Sequence, residues 1–275
     1  MEKTITSPSN PAIKEIRALR SSKDRAERGL FIIEGERFCE EAFESGAEIR
    51  TVLVSDEFMA DHSKKDLTER VREGQWKGGY DILIAPAGIV KSVSETESPQ
   101  GILAIAAINT HPIGWAELVG LGKVVVLDRI QDPGNLGTII RTADAFGFDA
   151  IVLLKGCVDV FNAKTLRSTM GSVFRVKLIT AEDTVGCAAQ LKENGFLLIA
   201  SDPKGDLETF NDRRMPLPET VAIVIGNEAN GISEELLAKC DRRVRIPMPG
   251  CAESLNAAIA AAIMMYEETR KGGME

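Results

Sequence analysis

Residues 123–154 read KVVVLDRIQDPGNLGTIIRTADAFGFDAIVLL, and the fold is decided here. The stretch opens on a β-branched apolar run of strand length, Val124 to Leu127, followed by the turn Asp132-Pro133-Gly134-Asn135. Leu136, Ile139, Ile140 and Ala143 then recur on one face of a helix. Asn135 reads as the N-cap of that helix, and Gly147 stands where its C-cap belongs. Ile151 to Leu154 follows as a second buried strand. Strand, turn, helix and strand form the building block of a parallel sheet. Arg141 projects about 140° away from Leu136 at about 100° per residue. Open α/β sheets place ligands at the carboxyl ends of their strands. Asn135 and Arg141 are therefore candidate functional groups, beside the plainer reading of a structural cap and a solvated arginine.

Working outward, 275 residues suffice for two domains. A hydrophobic content of 44% provides for sizeable cores and argues against wholesale disorder. No apolar run reaches the ~18 residues of a membrane span, and the first residues, MEKTITSPSNP, lack the apolar core of a signal peptide. Cys39, Cys157, Cys187, Cys240 and Cys251 are scattered and form no Cys-x-x-Cys, which fits a reduced, cytoplasmic protein with buried thiols. His62 and His111 are the only histidines. A zinc enzyme and a Ser-His-Asp triad are both disfavoured, and no metal is expected. The net charge of −8 opposes indiscriminate polyanion binding over the whole surface but permits a local basic face.

Such a face is expected in residues 1–28, read as a basic N-terminal extension. Lys3, Lys14, Arg17, Arg20, Lys23, Arg25 and Arg28 there face only Glu2, Glu15, Asp24 and Glu27. Asn10-Pro11 is an N-cap and N1 pair. The helix it starts gathers Ala12, Ile13, Ile16 and Leu19 on one side, with Lys14, Arg17 and Arg20 on the flank. That flank is either a solvated face or a phosphate-tracking one. Residues 29–108 alternate strand-like runs (30–33, 51–54, 82–85, 102–106) with helical periods, as a small α/β domain. Residues 109–122 read as a linker rich in proline and glycine. Residues 123–275 hold six strand candidates alternating with helices, which implies a mostly parallel sheet covered on both faces.

Three strand ends carry more glycine, proline and small polar residues than packing requires: Asp132 to Arg141, Ile225 to Ile232, and Arg245 to Asn256. The second has two glycines that allow close backbone approach. The third leads into a helix expected near Ser254 with a small apolar face, Ala257 to Ile263. No Gly-x-Gly-x-x-Gly follows a strand, which weakens a nicotinamide oxidoreductase reading and an ordinary glycine-loop methyltransferase reading alike.

Taken together these stretches resemble the SpoU/TrmH family of RNA 2′-O-methyltransferases in the SPOUT superfamily. The matching motifs are Asp132-Pro133-Gly134-Asn135-Leu136-Gly137-Thr138-Ile139-Ile140-Arg141-Thr142-Ala143, then Gly226-Asn227-Glu228-Ala229-Asn230-Gly231-Ile232, then Ile246-Pro247-Met248-Pro249-Gly250 with Ser254-Leu255-Asn256. The segment from Asn162 to Ser172 is also similar to the family. Asn10-Pro11-Ala12-Ile13-Lys14 and Ile33-Glu34-Gly35-Glu36 resemble an RNA-binding domain like that of ribosomal protein L30e. One departure is visible: many members carry Val and Ser after the motif asparagine, where this chain has Ala257 and Ala258.

The resemblance implies a SPOUT-type α/β domain with a C-terminal trefoil knot, a smaller L30e-like domain before it, and a homodimer. It implies S-adenosylmethionine as methyl donor, held by backbone at the positions matching Gly226, Ile246 and Leu255. The family's functional motif residues fall on Asn135, Arg141, Glu228, Ser254 and Asn256. RNA would be gripped by Lys14, Arg17, Arg20, Arg129, Lys164 and Arg167. The L30e-like part favours ribosomal RNA. The alternatives are transfer RNA, or a non-catalytic RNA-binding assembly factor with the same fold.

Overall fold

The computed structural model describes residues 2–76, 79–205, 207–208 and 219–271. They divide into two compact units. Unit 1 comprises 1–108 with 161–174, and unit 2 comprises 109–160 with 175–275.

Unit 1 is built on a five-stranded sheet of β1 (Glu2–Thr4), β2 (Leu30–Glu34), β3 (Ile49–Ser55), β4 (Asp81–Ala85) and β5 (Ile102–Ala107), in the order β1-β4-β3-β5-β2. β4 pairs parallel with β1 and β3, while β5 runs antiparallel to β2 and β3. Residues 1–28 are therefore not an appendage, because β1 is an edge strand of the sheet. The helix Pro11–Ala18 buries Ile13 and Ile16 in the core beneath it. Asn10 caps that helix as its sequence suggests, accepting from Ala12 N at 2.9 Å with Pro11 at N1.

Unit 2 carries β6 (Thr110–Pro112), β7 (Lys123–Asp128), β8 (Ala150–Leu154), β9 (Lys177–Ala181), β10 (Leu197–Ser201), β11 (Leu207–Glu208), β12 (Val221–Gly226) and β13 (Arg242–Arg245). The order is β11-β13-β10-β12-β7-β8-β9-β6, and each of these pairings is parallel. β7, β8 and β12 are buried along nearly their whole length, as a sheet covered on both faces requires. Residues 109–122 contribute β6 and the short helix Trp115–Leu118, and Lys177 ties them to β9 through an ion pair with Glu117 at 2.6 Å.

Strand order locates the functional crevice. The chain runs outward through β7, β8 and β9, then returns to build β10, β12 and β13 on the other side of β7. Order reverses between β7 and β12, which is where open α/β sheets bind ligands. Register sharpens this, since Gly226 lies opposite Asp128. The loops that follow those two residues leave the sheet side by side.

The helix Pro133–Ala145 closes β7 onto β8, burying Leu136, Ile139, Ile140 and Ala143 completely. Each large aliphatic side chain among them contributes about 1.5–3 kcal/mol. Gly147, at φ +67, ends it in a Schellman motif: Phe148 N donates to Ala143 O at 2.9 Å and Gly147 N to Asp144 O at 3.2 Å. The last helix starts at Ala257, three residues later than expected, and its small residues let it pack on Pro133–Ala145 and β12.

Candidate active site

The helix Pro133–Ala145 is capped by Asp132, which accepts from Asn135 N at 2.8 Å, and not by Asn135. The Asp-Pro pair is the same cap-plus-N1 signal that Asn10-Pro11 carries. Freed from capping, the Asn135 amide bonds across the crevice. Its Nδ2 donates to Glu228 Oε1 at 2.9 Å, and its Oδ1 accepts from Asn256 Nδ2 at 2.9 Å. Asn256 Oδ1 in turn caps the last helix, accepting from Ala258 N at 2.9 Å and Ile259 N at 3.2 Å. Asn256, Asn135 and Glu228 thus form a relay joining all three sequence motifs.

Glu228 also accepts from Gln131 N and Asp132 N, each at 3.4 Å, and from Asn227 Nδ2 at 3.4 Å. Partial burial pushes this carboxyl upward. The Asn135 amide and the backbone N–H groups of Glu228, Gln131 and Asp132 outweigh that and hold its pKa below the ordinary value. Glu228 is therefore ionised near neutrality, with its lone pairs engaged.

The second loop folds tightly on itself. Asn227 N donates to Gly231 O at 3.0 Å, and Gly231 N donates to Asn227 O at 2.9 Å. Asn227 Oδ1 accepts from Ala229 N and Asn230 N, while its Nδ2 donates to Arg129 O at 2.8 Å. A Cβ on Gly226 would lie 2.2 Å from Gly231 C and Ile232 N. Only glycine allows the loop to close there. The buried carboxylate of Asp128 anchors the far side, accepting from Ser233 N at 2.6 Å and Arg129 Nε at 2.9 Å. Asp128 is a positioning residue of this loop that sequence reasoning misses. Its one signal is a lone carboxylate closing an apolar strand.

Arg141 is exposed on the same helix as Asn135 and outside the relay. It makes no hydrogen bond or ion pair among the described residues, and neither does the exposed Ser254. Residues 247–255 make no hydrogen bond of their own among the described residues, so the peptide groups of that loop, Leu255 included, stay open. Ser233 Oγ is buried without a partner among the described residues. Open peptide groups and an orphaned hydroxyl suit a polar ligand such as S-adenosylmethionine.

The expected RNA contacts separate into two kinds. Lys14 and Arg167 are exposed and their side chains make no hydrogen bond or ion pair among the described residues, whereas Lys164 is exposed but not without a partner. Arg17 donates to Ser92 Oγ at 3.2 Å, and Arg20 donates to Ser92 O and Ser94 O, carbonyls at the end of the helix Ala87–Val93. Arg129, at φ +58, is paired with Asp128. Among the described residues no group of three or more His, Cys, Asp or Glu could hold a metal ion.

Residues 122–266 match the model of the SpoU rRNA Methylase family. This chain belongs to that family. Residues 10–104 match the MRM3-like substrate binding domain. A 23S rRNA (guanosine(2553)-2′-O)-methyltransferase, RlmP of Bacillus subtilis, is 36% identical over 96% of this chain and 98% of its own length. Among solved structures, the AdoMet-bound rRNA methyltransferase from Sinorhizobium meliloti superposes with a TM-score of 0.86 at 31% identity, covering 100% of this chain and 99% of that one. AviRb from Streptomyces viridochromogenes, a SpoU methyltransferase solved with AdoMet, gives 0.82 at 27% identity over 96% and 98%.

Proposed function

We propose that this chain is an S-adenosylmethionine-dependent RNA 2′-O-ribose methyltransferase acting on ribosomal RNA. The observation that carries the reading is the Asn256–Asn135–Glu228 relay. It brings three family motifs to the strand-order switch of a parallel sheet. The family match and the rRNA-modifying relatives supply the reaction class and favour ribosomal over transfer RNA.

Bound S-adenosylmethionine supplies an electrophilic methyl on a positive sulfur, which a ribose 2′-oxygen takes by in-line displacement. This chain's part is positional and electrostatic. Gly226, Ile246 and Leu255 offer backbone to the donor, and the relay keeps their loops in register before any ligand arrives. Glu228 is a poor proton acceptor, because its bonds lower its pKa and occupy its oxygens. A guanidinium offers five N–H donors and no acceptor, so Arg141 is no base either. Unpaired as it is, Arg141 grips the phosphate beside the target ribose and stabilises the forming alkoxide. The 2′-hydroxyl proton leaves to a phosphate oxygen or to water. Arg141→Lys tests this, since lysine keeps the charge and loses the planar fork.

The homodimer and the trefoil knot belong to the same reading. Ile259 and Tyr266 stay 53% and 41% exposed on the last helix, an apolar surface that a second copy would cover. Asn256 reaches back to Asn135 from beyond β13, on the far side of β12 and β10, as a chain tucked through a loop would. A cytoplasmic location follows from a ribosomal substrate.

The deciding experiment maps 2′-O-methyl groups in cellular 23S rRNA with and without the protein, together with calorimetry of S-adenosylmethionine binding. The expected result is one methyl group that disappears when the protein is removed, and that a deoxy nucleotide at the same position blocks in vitro. Donor binding with every methyl group still in place would leave a non-catalytic RNA-binding factor.

A further inference from the structure

Within unit 1 lies an open groove of about 280 Å³, lined by Gly35, Arg37, Phe38, Leu166, Arg167 and Met170 among others. Its lining is mainly apolar, yet it carries two guanidinium groups, with the carboxylates of Glu34 and Glu41 also on its wall. Arg37 and Arg167 are exposed, and neither forms a hydrogen bond or ion pair among the described residues. Unpaired arginines flanking an apolar slot are the complement of a flat ring joined to an anion.

The slot is stiff on one side. Phe38 packs on Phe174 with ring centroids 5.2 Å apart, and Phe31 backs them at 4.7 Å from Phe161 and 6.5 Å from Phe174. The opposite lip is formed at Met170, which holds φ +48 and is 42% exposed. A left-handed backbone is uncommon for any residue with a Cβ. Gly171 follows at φ +84, where a Cβ would stand 2.5 Å from Glu41 Oε2. The helix Ala163–Thr169 is thus ended so that Met170 faces open space, while Glu41 also lines the groove.

We infer that this groove binds one unstacked nucleotide of the RNA substrate, distinct from the ribose that is methylated. Its base lies against Phe38 and Met170, and its phosphate lies between Arg37 and Arg167. The volume holds a single nucleotide and little more, and base stacking on an aromatic side chain tolerates any base identity. The inference rests on the RNA methyltransferase reading but is tested apart from it.

The test uses the full chain carrying ¹³C-methyl methionine, with Met170 assigned by Met170→Leu. The four nucleoside 5′-monophosphates and ribose 5-phosphate are titrated in separately. The expected result is a saturable ring-current shift of the Met170 methyl with at least one nucleotide and none with the baseless sugar phosphate. Binding should weaken about tenfold or more in the double variant Arg37→Ala, Arg167→Ala. Circular dichroism and a thermal melt report that the variant is folded, and Arg37→Gln alone serves if it is not. No shift with any nucleotide overturns the inference. So does equal binding of ribose 5-phosphate, which reduces the groove to an anion site, and so does an unweakened double variant. Failure of the wider reading shows separately, as wild-type protein that does not bind the methyl donor.

Discussion

At the carboxyl ends of β7 and β12 in unit 2, the polar side chains are bonded to one another or to nearby backbone: Asp132 to its helix, Asn135 to Glu228 and Asn256, Asn227 to Arg129, Asp128 to Ser233. In unit 1 the guanidinium groups of Arg37 and Arg167 and the ammonium of Lys14 meet no partner among the described residues. On the proposed function, the difference follows from what each region must do. A site for methyl transfer needs dipoles fixed before the reaction, so that nothing reorganises at the transition state. A surface that grips RNA needs cations not yet neutralised, because its affinity comes from counterion release at the phosphates. Arg141 is an exception inside unit 2, as are Ser254 and the Ser233 hydroxyl, and it is the cation on which the proposed grip of the substrate phosphate rests.

The comparison breaks most sharply at Arg141. Replacing it with alanine should lower single-turnover methyl transfer by about 10²–10³-fold, the loss expected for one electrostatic stabiliser. Calorimetry should show donor affinity retained. Near-wild-type turnover with RNA and donor saturating would sink the assigned role.

Gly226→Ala comes next. Its Cβ would meet backbone at 2.2 Å, and backbone cannot swing aside as a side-chain tip can. A stability loss of about 1–3 kcal/mol is expected, read as a fall in denaturation midpoint, together with weakened donor binding. Unchanged melting would show that the 226–232 loop is adaptable and not preorganised.

The cations of the first helix then divide. Lys14→Gln should reduce the salt dependence of RNA binding, flattening the log–log slope by about 0.7–0.9 for each phosphate left unneutralised. Arg20→Gln should instead cost stability, about 0.5–1.5 kcal/mol, because Arg20 already serves the carbonyls of Ser92 and Ser94. Identical behaviour of the two variants would erase the distinction between free and committed cations.

The smallest effect is in pH. The folded pKa of Glu228 lies below its ordinary value, so its bonds contribute fully above the unfolded carboxylate pKa of about 4.3. That contribution disappears as pH falls through the lowered folded value. Carbon-detected titration should place Glu228 below the ordinary range and return it toward that range in Asn135→Ala. A raised value in the wild type would reopen Glu228 as the proton acceptor.

Much of the fold is legible in the sequence because parallel strands buried on both faces write themselves as apolar runs. The runs at 124–127, 151–154, 197–200 and 221–225 all lie within observed strands. The strands that escape such a reading, β1, β6 and β11, are two or three residues long and carry no such run. Their positions depend on the strand beside them. The 1–28 segment resembles an extension for that reason, since its charge pattern is visible in the sequence and its pairing with β4 is not. Asn135 looks like the cap from its residue type alone, although Asp132-Pro133 holds the stronger local signal.

The amino-acid order alone determined the α/β character, the helix carrying Asn135 and Arg141, and the three glycine- and proline-rich loops that make the family recognisable. Those features rest on local periodicity and backbone sterics, which act over a few residues. Only the tertiary structure decided that Asn135 leaves capping to Asp132, that Glu228 is held ionised, and that Arg141 stays free. The Asn135–Glu228 bond spans 93 positions and the Asn256–Asn135 bond 121. Bonds at that separation exist only after strand order has set β7 beside β12, and no local pattern records it.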